Sequence, residues 1–113
     1  MFLSRTLKDY ISKVNDFFPI VMITGPRQVG KTSLLEKCAK DNRKYVSLDS
    51  SEKRTLAQND PALFLQRYKP PVLIDEIQYA PQLFPYIKEF VDKEKQKGMF
   101  WITGSQQFSL MQN

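Results

Sequence analysis

The sequence contains no histidine and a single cysteine, Cys38. One cysteine rules out an intramolecular disulfide and fits a reducing compartment, so the expected location is cytoplasmic. The lack of histidine weakens any zinc reading. Long apolar runs are missing as well: none approaches the roughly 18 residues of a membrane span, and no membrane partner is expected. The first residues, "MFLSRTLKDYISKVND", are amphipathic and lack the continuous apolar core of a secretory signal. No internal repeat and no low-complexity linker interrupts the chain. A dense basic stripe interleaved with aromatics is also absent. The net charge of +5 comes from scattered groups such as "KCAKDNRK" and "DKEKQKG", so a nucleic-acid partner is admitted but not indicated.

What is present is an ordinary folding composition, 42% hydrophobic and 26% charged over 113 residues, enough for one modest core. Leu3, Leu7, Tyr10, Ile11 and Val14 recur at helical spacing and predict a helix over about residues 4 to 15. "FPIVMIT" is short, apolar and β-branched, and predicts a buried strand, with Pro19 tolerable only near its beginning. Leu34, Leu35, Cys38 and Ala39 predict one apolar face of a following helix. "YVSLD" predicts a second strand. "DSSE", Asp49 to Glu52, has capping-box-like spacing, but Asp60-Pro61 is the better helix start, with Leu63, Phe64 and Tyr68 as the inner face. "VLIDEI" predicts a third strand. Leu83, Phe84, Ile87, Phe90 and Val91 predict a helix beginning near Leu83, ending in a solvated tail before Gly98. "MFWIT" predicts a fourth strand. Strands alternating with helices, each strand nearly continuous in apolar residues, imply a parallel sheet covered on both faces.

Between the first strand and the next helix lies "GPRQVGKTS", Gly25 to Ser33. Its spacing, G-x-x-x-x-G-K-T, is the phosphate-binding P-loop in its required strand-to-helix context. Gly25 and Gly30 permit turns and close backbone approach. The free N–H groups of a helix starting near Gly30 attract phosphate. Lys31 brings a cation to the β- and γ-phosphates, and Thr32 offers a hydroxyl to magnesium. Pro26, Arg27, Gln28, Val29 and Ser33 complete the binding segment. Arg27 could touch phosphate, a neighbouring subunit or only solvent. Asp75 and Glu76 end the third strand at the edge where a parallel sheet binds ligands. There Asp75 can hold the metal, directly or through water, and Glu76 can polarise a water aimed at the γ-phosphate. As neighbours on a strand, the two side chains should leave it in opposite directions. Thr103 and Ser105, at the end of the fourth strand, could sense the γ-phosphate or serve ordinary turn chemistry around Gly104. Asp49 is better explained as a helix cap. Cys38, Phe100 and Trp101 read as core.

The segments "GPRQVGKTS", "YVSLD", "DPALFLQRY", "VLIDEIQYAPQLFPYIK" and "WITGSQQFSLM", in this order, resemble a large family of prokaryotic AAA-type P-loop ATPases that carry an uncharacterised C-terminal domain. The resemblance implies an α/β three-layer sandwich with sheet order 5-1-4-3-2. It implies ATP and Mg²⁺ as cofactors, the Walker A role for Gly25 to Thr32 and the Walker B role for Asp75. It also implies a catalytic glutamate at Glu76 and a sensor-like role at the end of the fourth strand. The chain stops at Asn113, so residues 1–113 read as the N-terminal part of such an ATP-binding domain, with strand five absent. An exposed first strand would then favour self-association, beside any AAA-type oligomer. Three rivals remain: a nucleotide-binding module with negligible hydrolysis, a P-loop kinase, and a nucleic-acid-binding module.

Overall fold

The structure is a computed structural model that describes residues 13–25, 35–36, 38–40 and 42–105. The most apolar segments form its centre. Strands β1 (Ile20–Gly25), β2 (Lys44–Ser47), β3 (Val72–Asp75) and β4 (Phe100–Ser105) pair side by side, all parallel, in the order β1-β4-β3-β2. This agrees with the α/β reading and with the implied 1-4-3-2 part of the sheet. All four residues of β3 are buried. β2 is shorter than "YVSLD": Leu48 and Asp49 already lie in a turn.

Alternation along each strand sorts side chains onto two faces. Val21, Trp101 and Leu73 stand in one register row. They form a core on one face with Cys38, and Val14 and Ile23 pack against it. The next row, Met22, Ile102, Ile74 and Val46, faces the other way, into the larger core. That core is closed by helices α1 (Ser51–Asn59), α2 (Pro61–Arg67) and α3 (Leu83–Glu94), with a 3₁₀ turn at Ile77–Tyr79. Both sheet faces are therefore covered, as the unbroken apolar strands require.

The helix ends follow local chemistry. Asp60 caps α2, accepting from the Leu63 N–H at 3.2 Å, and Pro61 occupies the first turn, where its missing N–H costs no helical bond. α3 begins at Leu83. Pro85 is its third residue, so it too removes only a donor that has no intrahelical partner. Phe90 docks α3 on β4 through an edge-to-face contact with Phe100, centroids 5.8 Å apart.

Several expectations need correction. α1 is a full helix where the sequence suggested at most a cap. Its cap is Ser50, whose Oγ accepts from the Lys53 N–H, not Asp49. On α2, Leu65 is buried with Phe64, while Leu63 is only half-buried, because the helix presents its 64–65 side to the sheet. After the loop, residues 35–36 and 38–40 are helical, but Leu35 and Ala39 are exposed and Cys38 alone of the three is buried. Residues four apart share one helix side, and here that side points away from the core. Of the helix expected over residues 4 to 15, residues 13–15 are helical and the earlier ones lie outside the described residues.

The amino edge of the sheet is closed by one polar cluster. Trp101 Nε1 donates to Asn15 Oδ1 at 2.9 Å. The buried Arg43 guanidinium lies 3.9 Å from the Trp101 ring centroid and donates from Nη1 to the Gly98 carbonyl at 2.9 Å. Gly98 has φ +66°, and a Cβ there would lie 2.7 Å from Asn15 Oδ1. Gly98→Ala should therefore combine left-handed strain with displacement of a tethered side chain. The expected loss is about 1–2 kcal/mol or more, read as a lower urea midpoint at unchanged slope.

Candidate functional site

Because every strand runs the same way, their carboxyl ends share one edge. β1 reaches it at Gly25, which pairs with Ser105 at the end of β4. β3 reaches it at Asp75, one strand further over. Neighbouring strands lie about 4.8 Å apart, so the ends of β1 and β3 are separated by roughly 10 Å. The chain enters "PRQVGKTS" directly from Gly25. Pro26, Arg27, Gln28, Val29, Gly30, Lys31, Thr32 and Ser33 lie outside the described residues, as do Gln106 and Gln107; of Ser105, only the backbone is described.

Asp75 is buried and held from both sides. The pairing of Ile74 with Ile102 brings Asp75 beside Thr103, and Thr103 Oγ1 donates to Asp75 Oδ1. From the opposite strand, Tyr45 Oη donates to Asp75 Oδ2 at 2.8 Å. Partial burial, then the bond to the Asp75 carboxylate and its charge, push the Tyr45 phenol up to about 12, so it is a firm donor at neutral pH. Tyr45 was not among the sequence candidates. Its alternation with Ser47 on a strand beside "VLID" was the available signal, but register between strands is not written in either one.

Glu76 sits differently from the expectation. The strand ends at Asp75, and Glu76 adopts the left-handed conformation, φ 62° and ψ 52°, at the head of the Ile77–Tyr79 turn. Glu76 is therefore not a strand residue, and strand alternation does not set the direction of its side chain. The chain reverses hand at Glu76, leaving Asp75 on the strand and Glu76 in the turn. The Glu76 N–H donates to Thr103 Oγ1 at 3.1 Å, and Glu76 Oε1 accepts from Gln78 Nε2 at 2.7 Å. Thr103 thus joins both acids through one hydroxyl.

The chemistry of this edge suits a hard cation shared with a ligand. Among the described residues, no group of three His, Cys, Asp or Glu side chains could hold a metal. Asp75 instead offers a single fixed carboxylate. Magnesium is commonly held by one or two carboxylates, with water and substrate phosphates completing the shell, and this donor set fits that pattern. The Asp49 side chain lies on an exposed turn at the same end of β2, one residue before the cap Ser50.

A family model described as an AAA domain matches residues 17–113. Two uncharacterized proteins, one from Mycobacterium tuberculosis and one from Mycobacterium bovis, are each 34% identical to the chain over 87 residues, covering 77% of it. The chain spans about a fifth of the length of these curated relatives, 20% in each case. No solved structure matches it.

The double role of the Thr103 hydroxyl gives a direct test. Thr103→Val keeps the shape but leaves the Asp75 carboxylate and the Glu76 N–H each short of a partner. It should cost about 1–3 kcal/mol by denaturant unfolding. Thr103→Ser, which keeps the hydroxyl, should recover most of that loss.

Proposed function

The chain belongs to the AAA-domain family, a class of nucleotide-binding, ATPase-like modules, and on that premise we propose that it binds ATP and hydrolyses it with Mg²⁺. The observation that carries this reading is the Thr103 bridge. It ties Asp75 and the backbone of Glu76 together at the sheet edge from which the Gly25–Ser33 loop departs.

In this reading the loop N–H groups and Lys31 hold the phosphates, and Thr32 and Asp75 supply the protein oxygens for magnesium. The bound metal would neutralise charge on the β- and γ-phosphate oxygens. Glu76 takes a proton from a water whose oxygen bonds to the γ-phosphorus. The bond from that phosphorus to the bridging oxygen breaks, and ADP leaves with the electron pair. Thr103 holds Asp75 in place and fixes the backbone that carries Glu76. Ser105 ends β4 beside Gly25 and is a candidate γ-phosphate contact. Adenine as the base rests on the family resemblance.

The rival readings separate in simple assays. A nucleotide-binding module would bind Mg-ATP and release no phosphate in a single turnover. A P-loop kinase would phosphorylate an acceptor instead of releasing free phosphate. Lys31→Ala should weaken ATP binding strongly in isothermal titration while leaving circular dichroism unchanged; unaltered affinity would count against the loop assignment. Glu76→Gln should keep Mg-ATP binding near the parent value and cut hydrolysis by about 10²-fold or more, a typical general-base contribution. Asp75→Asn should instead weaken the magnesium dependence of binding. Hydrolysis by Glu76→Gln at the parent rate in the full chain would remove Glu76 from the chemistry.

A further inference from the structure

We infer that Gln78 is a positioning residue for Glu76, and that α1 holds the turn from which it acts; the inference rests on the hydrolytic reading above. Glu76 lies off the strand, so pairing within β3 does not orient its carboxylate. Three local restraints hold the residue. Thr103 Oγ1 accepts from its N–H at 3.1 Å, its own carbonyl accepts from the Tyr79 N–H at 3.2 Å, and Gln78 Nε2 donates to Oε1 at 2.7 Å. Of these, only the Gln78 contact acts on the carboxylate itself. It selects a side-chain rotamer and engages one oxygen.

A positioning group is useful only if its own backbone is fixed. The turn Ile77–Tyr79 is fixed from below and from the side. Ile77 is fully buried in the larger core. From α1, Gln58 Nε2 donates to the Tyr79 carbonyl at 2.6 Å, and the Arg54 guanidinium lies 4.1 Å from the Tyr79 ring centroid. Arg54 is itself anchored, donating from Nε to the Leu48 carbonyl at 3.0 Å and from Nη2 to the Asp49 carbonyl at 3.2 Å. Thus the end of β2, helix α1 and the turn after β3 are fastened together, and Gln78 passes that rigidity to the Glu76 carboxylate.

A misplaced catalytic group loses rate without losing ligand affinity, and a displacement of about 1 Å can cost up to about 10²-fold. Gln78→Ala should therefore lower kcat about 10-fold while KM for ATP and the dissociation constant of Mg-ATP stay within about twofold. Gln78→Met, similar in length but unable to donate, should behave the same way, with a melting temperature near the parent's. The decisive arm is a double-mutant cycle in the full chain. In a Glu76→Gln background, Gln78→Ala should add little further loss, because both changes act through one carboxylate. Fully multiplicative losses, or an unchanged kcat in Gln78→Met, would overturn the inference while leaving the hydrolytic reading intact. Parent-level hydrolysis by Glu76→Gln would overturn both.

Discussion

The carboxyl edge of this sheet depends on one register. Ile74 stands beside Ile102, and from that pairing Asp75 comes to lie beside Thr103. A slip of one residue would turn Thr103 to the opposite face and separate it from both acids. The register is set away from the edge, where Leu73 and Trp101 bury on one face and Ile74 and Ile102 on the other. Packing fixes the pairing, and the pairing delivers the hydroxyl. The polar contacts at the edge are therefore a consequence of the apolar core.

The backbone at Glu76 differs from the other places where this chain adopts positive φ without glycine. Among the described residues those places are Asn42 and Lys95. Lys95 is the residue that ends α3, and Asn42 follows the helical residues 38–40; a left-handed residue is the usual way a helix stops. Glu76 ends no helix. It follows a buried strand, is itself buried, and carries a left-handed cost of about 1–2 kcal/mol. Such strain persists where surrounding contacts over-determine the conformation, and it clusters at functional sites. The contacts from Thr103, Tyr79 and Gln78 supply that over-determination here.

The sheet and its parallel sense were legible because each strand is a short, β-branched or aromatic run alternating with helical segments, whereas the strand order came only from the resemblance of several ordered motifs to one family. Asp75 and Thr103 were legible as strand-end polar residues. What escaped the sequence has physical reasons. α1, "SEKRTLAQN", has little apolar periodicity and buries only Ala57, so its helix shows in capping and tertiary contacts instead of pattern. Tyr45 escaped because its partner is 30 positions away across a strand pair. The turn at Glu76 escaped because a carboxylate gives no local sign of a left-handed backbone, which glycine or asparagine would have done. Leu35 and Ala39 misled because apolar residues at helical spacing do not say which side of the helix meets the sheet.

The two edges of the sheet divide the work. At the amino edge, Arg43, Asn15 and Trp101 form one polar cluster in which the guanidinium meets the Gly98 and Met99 carbonyls and an aromatic face. Breaking one member there leaves a buried group without its partner, and so costs stability. At the carboxyl edge, Tyr45 and Thr103 hydroxyls donate to the Asp75 carboxylate and the Gln78 amide donates to that of Glu76. A hydroxyl donor orients a carboxylate without itself carrying a neutralising charge. The first edge is thus tied by a cation to carbonyls and a ring, and the second by hydroxyl and amide donors that fix the directions of two acids, each held through Thr103 to the same strand end.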